Sequence, residues 1–441
     1  MLVSGVIKLK FKKIFFETER RLKMFTKRWL ICGLTVVLFL SLSASYRKVE
    51  AAPPIKIGYL TPLTGPFARI GSDLRDGWIL HFGEIGNKVE GRDIQLIVED
   101  TEGKPDVGLI KTRKLVEKDN VHMLAGVFST GVAYAIRDYV HNQKVPWMIT
   151  NAGADDLTKQ KRSPYIFRSS LTGPQLALVL GDWTYKKLGK RKLVIVGQDY
   201  PGSWEWCGPM AYSFILAGGK VLQEIYTPMG TTDFAPYITA INREADAVFS
   251  FHIGYETIRF SNQYSEFGLY GKIQRITGLG EIDEMIYPQI GDYIVGTIAT
   301  GIRGYPDNPH FQAFYKDFKG KFGKEPGGFG DSSYMGALFV SKALQEVKGN
   351  IEDKEAFLKA LRRTKIPESG WGPLSFDEYQ HVIRDVPICK LVKVGNTFRI
   401  DIIDSVPQMS QFWRYTAEEY IKKFPNWAQM KMKWSEYKPV K

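Results

Sequence analysis

The chain has 441 residues, 44% hydrophobic and 24% charged, enough apolar matter for a large core, which excludes a disordered tail or a disulfide-stapled miniprotein. At about 150 residues per domain, two or three domains are expected. The formal charge of +13 does not point to nucleic acid, because residues 1–51 hold eleven Lys/Arg against three acidic residues, +8 of that total, and the remainder carries only +5.

The basic segment 1–51 reads as a signal peptide with an upstream extension. Lys27 and Arg28 precede a mostly apolar run from Trp29 to Leu42, and Val49-Glu50-Ala51 offers small residues at the two positions a signal peptidase reads. Removal after Ala51 and export to the periplasm are therefore expected. An uncleaved anchor is the rival reading, but this run of 14 residues falls short of the ~20 that cross hydrocarbon. Cys32 lies too early in the run for a lipid-modified cysteine, and initiation at Met24 is expected. Cys207 and Cys389 then remain, read as two buried free thiols rather than a disulfide.

From Ile55 onward, short apolar strands alternate with helices. The strand candidates are Ile55–Leu60, Ile94–Glu99, Met123–Val127, Trp147–Thr150, Leu193–Val196, Val221–Tyr226, Ala247–Phe251 and Ile273–Thr277. Between them fall helix candidates Ser72–Phe82, Val107–Lys118, Thr130–Asn142, Gly173–Leu188, Glu205–Leu216, Phe234–Asn242 and Tyr255–Phe267. Such alternation demands crossovers, hence parallel sheets covered on both faces. The period breaks after Ile302, where helices His310–Phe322, Asp331–Val347 and Glu355–Leu361 follow one another, and strands Ile388–Val394 and Phe398–Ile403 arrive with no helix between them. A barrel would keep its period, so two doubly wound α/β lobes are expected.

Catalytic and cofactor signatures are missing. Gly278-Leu-Gly280 lacks the third glycine of a dinucleotide fingerprint, there is no phosphate loop or Gly-x-Ser-x-Gly turn, and the six histidines never fall at metal-ligand spacing. Neither cofactor nor metal is expected. What remains are the loops at the strands' carboxyl ends, where open α/β sheets bind ligands. Thr61–Gly71 is long and rich in Gly and Pro. Phe128-Ser-Thr-Gly131 enters a helix with hydroxyls beside free N–H groups that suit a carboxylate, although Ser129 or Thr130 serving only as a helix cap is equally open. Thr150–Ala154 is small enough for close approach to its backbone. Later loops are Gln198–Trp204, His252–Tyr255 and Gly278–Glu281.

Ile55-Lys-Ile-Gly-Tyr-Leu-Thr-Pro-Leu-Thr-Gly-Pro66, Val98-Glu-Asp100, Gly126-Val-Phe-Ser-Thr130, Met148-Ile-Thr150, Tyr165-Ile-Phe-Arg168 and Gly372-Pro-Leu-Ser-Phe-Asp377, in this order, resemble the periplasmic branched-chain amino-acid-binding proteins, type I solute-binding proteins of ABC transporters. The resemblance covers about Ile55 to Ile403. It implies two α/β lobes joined by a three-crossing hinge, here 52–172 plus 302–385 and 173–301 plus 386–441, enclosing one small ligand. It also implies head-group capture by Ser129, Thr130 and the Ala152, Gly153 and Ala154 backbone, aromatic walls from Phe67, Tyr200 and Trp204, and polar closure by His252 or Glu281. The family acid that receives an amino group maps near Gly280 or Glu281, its first-loop tyrosine is Ile70, its threonine is Ala154, and a disulfide of some members maps to Glu102 and Ser129 and is absent.

The expected function is therefore that of an exported, monomeric solute-binding component that closes on a small amino acid, or a related apolar or aromatic carboxylate or amide, and presents it to an ABC permease. A sensing module for a receptor or kinase predicts the same pocket, and an exported α/β enzyme lacks a visible nucleophile or metal centre. Finally, Ala417–Lys441 interleaves six lysines with Tyr420, Phe424, Trp427 and Trp434, as expected of a helix packed on a lobe with a solvated basic face.

Overall fold

The computed structural model describes residues 12, 13, 15–26, 29, 52–284, 286–301, 303–424 and 426–438. The described part of the N-terminal segment, residues 15–26 with 12, 13 and 29, is helical and exposed. The apolar run beyond Trp29 and the expected cleavage site at Ala51 lie outside the described residues. Among the described residues no helix is long and apolar enough to cross a membrane.

Two sheets organise residues 53–441. The first has the order β2-β3-β1-β4-β5-β6, from β1 (Ile55–Thr61), β2 (Lys88–Val89), β3 (Arg92–Asp100), β4 (Met123–Gly126), β5 (Trp147–Ile149) and β6 (Ile166–Arg168). All its pairings are parallel except the short β2–β3 ladder. The second sheet contains β7 (Lys192–Gln198), β8 (Lys220–Thr227), β9 (Ala247–Phe251), β10 (Gln274–Gly278) and β11 (Ile298–Thr300), all parallel, extended by β12 (Ser375–Phe376), β13 (Val382–Val394) and β14 (Thr397–Met409), which pair antiparallel. Central strands β4 and β9 are buried throughout, as expected where helices cover both faces, whereas β8 at an edge is half-buried at several positions, with Lys220 exposed.

The helices after residue 302 return to the first sheet. Helix Gly328–Glu346 crosses helix Ala68–Glu84 so closely that a Cβ on Gly77 would stand 2.1 Å from the Gly330 carbonyl oxygen. The Tyr59 hydroxyl on β1 lies 2.7 Å from that of Ser333, tying β1 to the returning helix. Strand β13 then belongs to both halves. His381, just before it, bridges to Arg168 at the end of β6, while Ile388–Lys390 pair with β11.

Most expected elements stand within a few residues of their sequence bounds. Others differ: β14 runs on to Met409, helix Pro201–Leu216 begins four residues early, and the two-residue β2 and β12 are not among the expected strands. For three more the reason is visible. β6 and β11 have only three residues each, too few for a periodic signal. β13 starts at Val382 rather than Ile388, because Pro387 is accommodated beside bulges on either side of it instead of ending the strand. Cys207 and Cys389 are buried and unpaired.

Candidate functional site

The carboxyl ends of both sheets face a cavity of about 1130 Å³. On the first side, helix Thr130–Asn142 points its amino end inward, with Ser129 as its cap: the Ser129 hydroxyl accepts the Val132 N–H at 3.5 Å. The Thr130 hydroxyl instead accepts the Ala154 N–H at 3.4 Å and so joins the helix start to the loop after β5. Ser129, Thr130, Asn151 and Gly153 form the polar part of this wall. Phe67 and Phe128 form the apolar part, their ring centres 5.1 Å apart, with Phe329 set edge-on to Phe128 at 5.9 Å.

Ala152 and Ala154 are buried and do not line the cavity. Their carbonyls accept hydrogen bonds from the buried Arg168 guanidinium, at 2.8 Å for Ala154. Ala154 is held at φ 26°, in the left-handed region that costs a residue with a side chain. The loop is thus clamped from behind and shows the cavity only Asn151 and Gly153.

The second side is aromatic. Tyr200 precedes helix Pro201–Leu216, and Trp206 within that helix stacks on Phe251 at 5.0 Å and 20°. Trp206 seats there because Gly173 faces it without a side chain; a Cβ would lie 2.7 Å from the indole. Trp204 does not line the cavity, since its indole N–H donates to Asp199 at 3.2 Å. His252 does line it, its ring stacked on Phe260 at 4.4 Å, with Nδ1 3.6 Å from Glu281 Oε1 and Nε2 without a hydrogen-bond partner among the described residues.

Glu281 is turned away and Gly280 lines the cavity in its place. The Glu281 carboxylate pairs with Arg275, accepts the His252 backbone N–H at 2.7 Å and accepts the Ser250 hydroxyl at 2.9 Å. Burial alone would raise its pKa, but Arg275 and His252 outweigh burial and hold it below the usual carboxylate range.

Besides Asp138, an acid that does face the cavity is Glu205, absent from the sequence-based candidates. It crosses from helix Pro201–Leu216 to accept the Asp155 N–H of the first side at 3.1 Å. A Cβ on Gly153 would stand 2.5 Å from Glu205 Oε2, so the glycine is what admits it. Burial, reinforced by Asp155 and Asp156, pushes the Glu205 carboxyl up to about 8 against the opposing pull of the Asp155 N–H and Arg168. Pro201 as first helical residue was the available signal: starting the helix there instead of at Glu205 puts Trp204, Glu205 and Trp206 on different faces of one helix.

Three cationic residues, Arg69, Arg137 and Lys161, complete the lining with Asp138. Among the described residues no group of His, Cys, Asp or Glu could hold a metal ion.

Residues 54–396 match the profile of the periplasmic binding protein family. The chain is similar in structure to an ABC transporter substrate-binding protein from Sphaerobacter thermophilus, with 34% identity, TM-score 0.78, and 81% of this chain and 99% of that one covered. It is also similar to a solute-binding protein of an ABC transporter from Rhodopseudomonas palustris in complex with 3,4-dihydroxybenzoic acid, with 27% identity, TM-score 0.76, and 81% and 98% covered. A Leu/Ile/Val-binding protein homologue from Brucella melitensis is 27% identical over 374 residues, 82% of this chain and 93% of that protein.

Proposed function

This chain belongs to the periplasmic binding protein family, whose members bind solutes rather than transform them, and from that premise we propose that it captures a small aromatic carboxylate between its lobes and delivers it to an ABC permease after export to the periplasm. The observation that carries the cargo reading is the charge of the cavity wall. Gly280 and the outward-turned Glu281 leave no ionised acid where the family's amino-group receptor maps, and Glu205, raised to about 8, is mostly neutral at pH 7. Arg69 supplies positive charge instead, beside Arg137 and Lys161, which are paired with Asp138 and Asp156, and Phe67, Phe128, Trp206 and Phe251 supply flat apolar walls. The relative holding 3,4-dihydroxybenzoic acid supports the same choice.

In this reading Ser129, Thr130 and Gly153 hold the head group, and Phe67 and Tyr200 flank the ring. His252 offers its unpartnered Nε2 to a ring hydroxyl. The lobes in this reading divide at 52–172 plus 302–385 and 173–301 plus 386–441; the membership of β1–β6 in one sheet and β7–β11 in the other supports that division, while β12 and the start of β13 join the second sheet ahead of residue 386. Ligand contacts to both sides exist together only when the lobes meet, so binding favours the closed form by the contacts that form adds.

A branched-chain amino acid is the second reading, favoured by the Leu/Ile/Val-binding homologue. A thermal-shift screen separates the two, because a ligand selective for the folded form raises the melting temperature by its occupancy. Hydroxybenzoates should raise it at micromolar to millimolar concentration. A shift with leucine, isoleucine or valine and none with benzoates would sink the aromatic reading, and chemical conversion of the bound compound would sink the carrier reading.

A further inference from the structure

The family match ends at residue 396, yet Asn426, Ala428 and Gln429 line the cavity. The segment carrying them touches both sides. Toward the loop between β5 and β6, the Gln160 amide donates to the Phe424 carbonyl at 2.9 Å, and the Asn426 amide donates to Asp156 Oδ2 at 3.2 Å. The buried Lys159 ammonium stands 4.3 Å from the centre of the Tyr420 ring. Toward the second sheet, Trp427 and Trp434 bury their rings on helix Pro201–Leu216, where Gly208 makes room: a Cβ there would stand 3.2 Å from each. Lys431 pairs with Asp199 at 2.7 Å, and the Ser435 hydroxyl donates to Glu224 at 2.9 Å.

We propose that the segment from Ser410 to Tyr437 is a strap across the mouth of the cleft, fastening the lobes in the closed form and supplying a wall that the family's common core lacks. The two anchorages differ in kind. Two buried tryptophans hold the strap to the second side through apolar area, while the first side holds it chiefly by polar contacts: the hydrogen bonds above, those of Gln411 with Thr158 at 3.0 Å and Asp377 at 2.7 Å, and Lys159 set over the rings of Tyr420 and Phe412, the latter also against Tyr379. The strap therefore stays with the second lobe and lets go of the first when the cleft opens. Its wall carries the neutral amides of Asn426 and Gln429, which suit a ring hydroxyl and do not compete with Arg69, Arg137 and Lys161 for the carboxylate. The wall role rests on the cargo reading above; the fastening role does not.

The test uses the chain from Ala52 to its end with Gln160→Ala and Asn426→Ala combined, which cuts the hydrogen bonds that hold residues 421–426 to the first side, keeps those of Gln411, and leaves the tryptophans seated. Without ligand, the double variant should exchange the backbone amides of 417–430 at least fivefold faster and give a larger radius of gyration, at an unchanged melting temperature. Unchanged exchange and scattering would overturn the strap. If the double variant does not fold, the wild type decides the matter: 4-hydroxybenzoate should slow exchange across 420–429 at least fivefold, and unaltered exchange in a sample shown to be saturated would overturn the wall. Should 4-hydroxybenzoate not bind at all, the cargo reading falls and the ligand-free measurements still judge the strap.

Discussion

The two walls of the cleft are built by opposite means. On the first side the cavity meets hydroxyls and backbone beside the Phe67 and Phe128 rings, and that polar part is fixed from behind by a buried ionic cluster in which Arg168 clamps the Ala152 and Ala154 carbonyls and Lys159 pairs with Asp155. On the second side they are rings, seated by stacking and by the absence of side chains at Gly173 and Gly278. A wall of backbone dipoles needs rigid support to hold its geometry, whereas a wall of rings needs only shape and area. Changes behind the first wall should therefore cost stability, and changes in front of it should cost affinity.

The largest expected effect comes from behind that wall. Arg168→Met leaves the loop carbonyls and neighbouring acids without their buried cation and should lower unfolding stability by about 3–5 kcal/mol, read by chemical denaturation. A variant as stable as wild type would show that the clamp is not what holds the loop.

Glu205 joins the two walls, and its contribution is read through pH. Its carboxyl titrates at about 8 in the fold against an ordinary value of 4.5. Between those values the folded protein holds one proton more than the unfolded chain. Stability from this group is thus greatest below the ordinary value and falls as pH rises through the window, with a limiting slope of about 1.4 kcal/mol per pH unit. Glu205→Gln should flatten that part of the wild-type profile. Parallel profiles for the two proteins would remove Glu205 from the account.

In front of the first wall, Thr130→Ala removes one hydroxyl. The expected cost is about 1–1.5 kcal/mol in ligand binding, roughly tenfold in Kd, by calorimetry with the best ligand from the screen, and much less in unliganded stability. Equal affinity in both proteins would exclude the hydroxyl from the site. The smallest effect belongs to Trp204→Ala: the ring lies outside the lining, so affinity should move less than about threefold, within the usual range for surface changes. A tenfold loss would place Trp204 at the ligand after all.

The strand–helix alternation, the break after residue 302 and the loops at the strand ends were all legible in the sequence, because burial on both faces writes continuous apolar runs and covering helices write a 3.6-residue period. Helix Thr130–Asn142 carries its cap in plain view at Ser129. The C-terminal aromatics were legible as buried, since rings spaced among lysines need a surface to cover. Their contact with the loop between β5 and β6 was not, because it joins residues some 260 positions apart.

Sequence alone pointed to the loops at the carboxyl ends of the strands; only the tertiary structure decided which residue of each loop faces the cleft and brought Phe329 and the segment with Asn426 and Gln429 to it. Successive helical residues turn by about 100°, so Trp204 and Trp206 point to nearly opposite sides, and nothing local says which side is the cleft. Gly280 and Glu281 pose the same question, and Arg275, a strand residue that draws the carboxylate away, answers it. Patterns of burial are properties of a segment, but orientation toward a partner is a property of the pair, and the pair exists only once the chain has folded.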